Sequence, residues 1–293
     1  MHKAGFVNIV GNPNVGKSTL MNQLVGEKLS IATFKAQTTR HRIMGIVNTD
    51  DAQIVFSDTP GVLKPNYKMQ EMMLQFSESA LADADILLYV TDVVENPEKN
   101  MDFLDKVSKM TIPVILLINK IDESDQKKLG NLVETWHKLL SNAEILPLSA
   151  KNKFGIDILM KRIFELLPES PAFFDKDQLT DKPAKFFVSE IIREKILRYY
   201  DKEIPYSVEV VIERFKEDER QIHINAIIYV ERSSQKGIII GHQGMALKKV
   251  STEARKSLER FFDKKIFLET YVKVDKDWRN SQKELNNFGY NPE

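Results

Sequence analysis

The octapeptide Gly11-Asn12-Pro13-Asn14-Val15-Gly16-Lys17-Ser18 constrains this chain more than any other stretch. It follows an apolar, β-branched run, Gly5–Val10, and leads into an amphipathic stretch, Ser18–Val25. G-x-x-x-x-G-K-[ST] in that setting requires a strand to end and a helix to begin around a phosphate. The glycines let backbone N–H groups curl around phosphate oxygens at the helix N-terminus. Lys17 brings a cation to the β and γ phosphates, and the Ser18 hydroxyl can ligate Mg²⁺. Gly11, Asn12, Asn14, Val15, Gly16, Lys17, Ser18 and Thr19 are the first candidate nucleotide-binding residues. A glycine turn that only capped a helix would need neither the lysine nor the hydroxyl.

The pattern around this motif continues to about residue 165 as short apolar runs alternating with helix-length amphipathic stretches. The strands expected are Gly5–Val10, Ile43–Asn48, Gln53–Ser57, Asp85–Thr91, Val114–Asn119 and Glu144–Leu148. Runs apolar on both alternations belong to strands buried on both faces of a parallel sheet. Thr49-Asp50-Asp51-Ala52 is too short for a crossover, so the second and third strands should pair antiparallel. Helices are expected over Ser18–Val25, Tyr67–Ala82, Pro97–Met110, Gln126–Leu140 and Ile156–Leu167. The fold class implied is α/β, a doubly wound, mostly parallel sheet. With 293 residues the chain has room for about two domains. The absence of cysteine excludes disulfides, thiolate metal sites and cysteine nucleophiles. It suits a reducing compartment, and with no signal-peptide pattern at the N-terminus and no apolar run approaching about 20 residues, a cytoplasmic location is expected.

Two further motifs fall at expected strand ends. Asp58-Thr59-Pro60-Gly61 offers a carboxylate that can hold a metal through water and a Gly61 N–H that can meet a γ phosphate. Asn119-Lys120-Ile121-Asp122 identifies the base: the Asp122 carboxylate only accepts hydrogen bonds, which matches the ring N–H and exocyclic amine of guanine. Adenine does not present those two donors together. Ser149-Ala150-Lys151, after the sixth strand, can supply a backbone N–H to guanine O6. The ligands expected are GTP and GDP with Mg²⁺. Val62 stands where many GTPases carry a water-orienting glutamine, so hydrolysis must rest on backbone groups, Lys17 and the metal, and should be slow.

In this order the motifs, together with Gln37-Thr38-Thr39-Arg40-His41, resemble those of the translation-factor-related GTPases and, among them, the bacterial Era family. The resemblance covers nearly the whole chain and implies a P-loop GTPase domain over residues 1–168. It makes Thr39 the switch threonine, with Thr38 as runner-up, and assigns Ser18, Thr39 and Asp58 to Mg²⁺. Lys17, Thr39 and Gly61 would carry catalysis. Asn14 resembles the asparagine that binds K⁺ beside the phosphates in related GTPases. Phe34 departs from the basic residue expected there in many relatives, so no phosphate or ribosome contact carries over to it.

Proline and charge replace periodicity over residues 169–183, which reads as a linker. Beyond it the expected order is helix (Lys185–Tyr200), two strands (Tyr206–Arg214 and Gln221–Val230), two helices around a glycine turn, and a last strand (Lys265–Val274). That αββααβ order over 184–275, with Gly237-Ile-Ile-Ile-Gly241-His242-Gln243-Gly244 at the helix junction, resembles an α+β type II KH domain, whose G-x-x-G loop clamps single-stranded RNA. Net charge is zero overall, yet residues 232–265 carry nine basic side chains against Glu253, Glu259 and Asp263. Lys236, Gly237, Ile240, Gly241, His242, Gln243, Gly244, Lys248, Lys249 and Arg255 are the candidate RNA contacts. His242 and Gln243 supply no fixed charge and Ser251 replaces a frequent glycine, so RNA affinity should be modest and salt-sensitive.

The Era resemblance implies binding to the 3′ end of 16S ribosomal RNA during maturation of the small (30S) subunit. It suggests a peripheral contact with the inner membrane; the oligomeric state is left open by the sequence, with a monomer expected. The tail, 276–293, reads as polar and loosely packed, with Trp278-Arg279 either on the RNA surface or as a buried anchor. Two rival readings stand beside this one. An RNA chaperone would hold GTP without turning it over, and an RNA-modifying enzyme would need a second catalytic centre that the sequence does not offer.

Overall fold

The computed structural model describes residues 2–291. Residue contacts divide it into two units, the first running to Asn66 and over Gln70–Asp181, the second comprising Tyr67–Met69 and Lys182–Asn291.

In chain order the first part carries β1 (Lys3–Gly11), α1 (Lys17–Val25), β2 (Ile43–Asn48), β3 (Ala52–Asp58), α2 (Lys68–Ala82), β4 (Ile86–Asp92), α3 (Met101–Ser108), β5 (Val114–Asn119), α4 (Gln126–Leu139), β6 (Ala143–Pro147) and α5 (Ile156–Leu166). The sheet runs β2-β3-β1-β4-β5-β6. β2 and β3 pair antiparallel through Ile43 opposite Asp58, and every other pairing is parallel. β3, β4 and β5 are buried at every residue, which is why they read as continuous apolar runs. The phosphate loop, Asp58 and Asn119 all sit at carboxyl ends of strands, where open α/β sheets bind their ligands.

Two expectations change here. The third helix begins at Met101 rather than Pro97, because Asn100 takes a left-handed backbone, φ 59°, which a continuing helix cannot accommodate. The stretch read as a linker, 169–183, lies along the sheet edge as far as Asp181. Ile46 N donates to Leu179 O at 2.8 Å, Thr180 Oγ1 to Met44 O at 2.6 Å, and Met44 N to Asp181 Oδ1 at 2.9 Å. The buried Gln53 side chain adds three bonds to the backbone of Phe173 and Phe174.

The second unit carries α6 (Ala184–Tyr199), β7 (Glu209–Glu217), β8 (Gln221–Val230), α7 (Ser233–Ile240), α8 (Met245–Phe262), β9 (Lys265–Val274) and α9 (Gln282–Asn287). β8 is central, antiparallel to β7 and parallel to β9. Val188, Ile192 and Ile196 of α6 meet Val250, Ala254 and Leu258 of α8 over the alternate apolar residues of β8, Ile222 to Val230. The tail is not loose: Trp278, Leu285 and Tyr290 are fully buried. Trp278 Nε1 donates to Ser207 O at 3.3 Å and Tyr290 Oη to Glu209 Oε2 at 2.7 Å. Trp278 is therefore the buried anchor of the two alternatives. Three aromatic or aliphatic anchors spread through a polar segment carry little periodicity, so the packing was hidden.

Candidate functional site

The loop between β1 and α1 turns through three positive-φ residues, Gly11, Asn14 and Gly16. At Gly16, φ 98°, an added Cβ would overlap Asn119 Nδ2, so both the backbone conformation and the close approach demand glycine. Asn119 joins three loops: its Nδ2 donates to Val15 O at 2.8 Å, and its Oδ1 accepts from Ala150 N at 3.0 Å. Lys120, itself left-handed at φ 61°, donates to Asn14 O at 2.7 Å and to Asp92 Oδ2 at 2.6 Å. The phosphate loop and the base-reading loop are thereby locked together.

Lys17 Nζ lies inside the loop, donating to Gly11 O at 3.0 Å and Asn12 O at 2.8 Å. Ser18 Oγ and Thr39 Oγ1 are 2.8 Å apart, and Thr39 Oγ1 donates to Asp58 Oδ2 at 3.2 Å. Thr38, the runner-up, turns elsewhere and donates to Lys35 O. Asp58 is fully buried, and its Oδ1 has no hydrogen-bond partner. Burial pushes its pKa up, against the pull of Lys17 and neighbouring hydroxyls. A buried carboxylate with a free oxygen beside two hydroxyls fits a hard divalent cation such as Mg²⁺. Gly61 packs against Pro13 closely enough that an added Cβ would lie 2.7 Å from the Pro13 backbone. A cavity of about 220 Å³ joins Asn14, Gly16, Lys17, Ser18, Thr19, Thr39, Gly61 and Lys120. Phe34, fully exposed, stands at its mouth.

Burial lowers the Lys17 pKa to about 8, while Asp58 and Glu95 draw it upward. Phosphate oxygens beside the ammonium would restore its charge, so nucleotide binding takes up a proton above that pH. Near pH 7 the Lys17 ammonium is held in both states and adds no pH dependence to GDP affinity. As pH rises past 8 the free protein loses the Lys17 proton first, and at pH 9 GDP should bind about tenfold more weakly. Calorimetry at pH 7 and 9, in two buffers of different ionisation enthalpy, reads both the affinity and the proton count.

At the base end, Asp122 follows Lys120 in a short 3₁₀ turn, and its Oδ1 accepts from Ser149 Oγ at 2.6 Å. The Ala150 N–H is already spent on Asn119. Two residues outside the expected set belong to the site's scaffold. Asn100 Nδ2 donates to Asn12 Oδ1 and to Val62 O, and Glu95, its pKa raised by burial, accepts from Thr91 and from the Asn12 side chain. Val62 is 4% exposed in the core with Phe103 and Leu104, so its side chain cannot face a water at the phosphate.

In the second unit α7 ends at Ile240, and the turn is made by Gly241-His242-Gln243-Gly244, with positive φ at Gly241, Gln243 and Gly244. Gly237 is a helical residue, so it lies before the turn and not in it. Of the isoleucine wall, Ile239 is core and Ile240 packs against the core, while Ile238 is half exposed. Helical spacing allows one of three consecutive residues to face out. A groove of about 350 Å³ runs from Gly244 past Leu247, Lys248, Ser251 and Arg255 to Leu268 and Thr270 of β9. Ser251 Oγ lies 2.7 Å from Thr270 Oγ1, so the serine joins helix to strand. The positive charge is partly spent internally: Arg255 pairs with Glu259 at 2.9 Å, Lys256 with Glu253 at 2.8 Å, and Lys249 sits over the Tyr199 ring at 4.6 Å. Lys248, His242 and Gln243 are exposed.

Comparison with known proteins bears on both units. A family profile described as "50S ribosome-binding GTPase" matches residues 6–120, and one described as "KH domain" matches residues 203–279. GTPase Era of Clostridium kluyveri is 44% identical over 292 residues, covering 99% of this chain and 100% of that protein. GTPase Era of Syntrophus aciditrophicus is 45% identical over 295 residues, covering 99% and 96%. A crystal structure of Era in complex with MgGDPNP and nucleotides 1506–1542 of 16S ribosomal RNA superposes with a TM-score of 0.95 at 37% identity, covering 99% of each chain. An Aquifex aeolicus Era variant bound to GDP·AlF₄⁻ gives 0.94 at 38% identity, covering 98% of this chain and 99% of that one. With the phosphate loop, the Asp58 and Asp122 carboxylates and a KH fold on one polypeptide, and with relatives matched end to end, the chain belongs to the Era family of GTPases.

Proposed function

We propose that this GTPase binds the 3′ end of 16S ribosomal RNA through its KH unit and assists maturation of the 30S subunit, with its nucleotide state setting RNA access. The observation that supports this most is end-to-end similarity to an Era solved with both a GTP analogue and that RNA segment.

In this proposal Lys17 holds the β and γ phosphates, Gly61 N–H meets the γ phosphate, and Asp122 reads guanine. With the Ala150 amide bound to Asn119, the donor to O6 falls to Lys151. Ser18, Thr39 and Asp58 would hold Mg²⁺, which supplies charge neutralisation at the phosphates. Asn14 is the residue for K⁺, an ion whose effect a comparison of rates in K⁺ and Na⁺ at equal ionic strength reads. Because Thr39 and Gly61 both touch the γ phosphate in this reading, hydrolysis releases two tethers at once. RNA is clamped at Gly241–Gly244, with Lys236, Lys248 and the Ser251 groove beside it. The domain division proposed is 1–168 for the GTPase, 169–183 for the connecting stretch, 184–275 for the KH unit and 276–293 for a tail, of which Trp278, Leu285 and Tyr290 are buried. In this proposal the protein acts as a monomer in the cytoplasm, with a peripheral contact at the membrane. No helix among the described residues is long and apolar enough to cross a membrane.

The test is RNA affinity, for a 16S 3′-end oligonucleotide and a scrambled one, with GDP, with a nonhydrolysable GTP analogue and without nucleotide. Preference for the 16S sequence and a difference between nucleotide states are expected. Equal affinity in all three states would leave the two activities uncoupled.

A further inference from the structure

Asn100 opens α3 without capping it. An N-cap asparagine ordinarily turns its side chain back onto the amides of its own first turn. Here those amides are served by the Asn100 carbonyl, which accepts from Phe103 N at 3.0 Å and Leu104 N at 3.2 Å, while the side chain makes no cap bond. It points the other way. Nδ2 donates to Val62 O at 3.0 Å and to Asn12 Oδ1 at 2.5 Å. A backbone carbonyl can only accept, so the Val62 contact fixes which way the Asn100 amide faces. The residue holds this pose in a left-handed backbone conformation that few side chains tolerate, φ 59° and ψ 46°.

The two acceptors lie on the two loops that must meet at a γ phosphate. Val62 directly follows Gly61, and its own N–H donates to Gly11 O at 3.0 Å. The Gly61–Val62 segment is therefore held on one side by the phosphate loop's backbone, on the other by Asn100, and beneath by Pro13. Asn12 in turn is steadied by Glu95. A glutamine would orient the attacking water in many GTPases; here that position is a buried valine, so the placing of the Gly61 backbone N–H must serve instead. We propose that Asn100 is a positioning residue for GTP hydrolysis, whose side-chain amide ties the Val62 carbonyl to Asn12 and so fixes Gly61 N–H where the γ phosphate lies.

This rests on the reading of Gly61 as the γ-phosphate contact, and the experiment separates the two. Asn100→Asp keeps shape and volume but turns a carboxylate oxygen toward the Val62 carbonyl. Val62 cannot answer it, and Asn12, whose amide N–H already donates to Glu95, could flip only by turning its oxygen onto that carboxyl group. Single-turnover hydrolysis at pH 7.5 should fall about tenfold, the equivalent of about 1.4 kcal/mol at the transition state, with GDP affinity within about twofold of the parent. Asn100→Ala should lose a similar factor. On acidification the introduced carboxyl regains a proton to donate, so the rate of Asn100→Asp should climb relative to Asn100→Ala at the same pH. Taking that ratio cancels the titration of the charged groups around the segment, Glu95 behind Asn12 and Lys64, Glu78, Asp102 and Lys106 around the adjoining cavity. Gly61→Ala, which keeps the N–H but whose Cβ drives it off the Pro13 backbone, is the control for the underlying reading, scored only with GDP affinity measured alongside to show that the phosphate loop is intact. If it abolishes hydrolysis while both Asn100 variants keep the parent rate, the positioning role is wrong and Gly61 stands. If Gly61→Ala hydrolyses normally, the reading of Gly61 is what fails. A parallel loss of GDP affinity in the Asn100 variants, or a rate ratio that ignores pH, would reduce Asn100 to a strut of the phosphate loop.

Discussion

Changing Asp122 to asparagine should weaken GTP and GDP binding by about 10² to 10⁴ and transfer preference to xanthine nucleotides. The carboxylate accepts from two guanine donors; a charge-assisted hydrogen bond contributes about 1.5–3 kcal/mol and a buried donor left facing another donor costs about 1–3 kcal/mol, so losing one bond and opposing the amine reaches that range. Asparagine keeps one acceptor but presents N–H groups where guanine carries its exocyclic amine. Xanthine has a carbonyl there and accepts them. The local structure should survive, because Ser149 Oγ donates to Asp122 Oδ1, an atom asparagine retains. Competition titrations with GDP, XDP and ADP give the three affinities directly. Unaltered GDP binding in the variant would mean that Asp122 does not read the base.

Asn119→Ala should be nearly as damaging, although its side chain need not touch nucleotide at all. The residue is 2% exposed and spends both ends of its amide on backbone, Val15 O and Ala150 N. Alanine strands a buried carbonyl and a buried amide, each costing about 1–3 kcal/mol. Both loops bear on the nucleotide, so GDP should bind about 100-fold more weakly, and thermal unfolding of the nucleotide-free protein should move down by several degrees. Asp122→Asn removes contacts with ligand and should leave that unfolding temperature where it was. Melting curves with and without GDP distinguish the two failures. An Asn119→Ala protein that melts normally and binds GDP tightly would show that the stitch between loops is dispensable.

Much of this site is legible before any coordinates because its parts are local. Gly16-Lys17-Ser18 and Asn119-Lys120-Ile121-Asp122 each place their chemistry within four residues, and β3, β4 and β5 announce themselves as unbroken apolar runs that only a doubly covered sheet can bury. What stays hidden is contact between distant segments. Nothing in the neighbourhood of Asn100 says that its amide ends on Asn12 and Val62, and the Ser251–Thr270 contact joins a helix to a strand nineteen positions on. Charge was misleading for a different reason: a count of lysines and arginines over 232–265 ignores that Arg255 and Lys256 already have carboxylate partners on α8 itself. The i,i+4 spacing of Arg255 and Glu259 was the signal available for that correction. In the isoleucine run before the turn, composition shows three apolar residues, while helix geometry leaves Ile238 facing out.

The stretch along β2 has a consequence for any attempt to work with the GTPase portion by itself. An outermost strand with its hydrogen-bonding groups bare invites a second molecule to add on, and length, flatness and apolar character make that worse. Here residues 179–181 satisfy Met44 and Ile46 before the polypeptide moves on to its next fold. A fragment stopped at residue 168 would leave that seam open and should self-associate, whereas one carried through Asp181 brings its own seal.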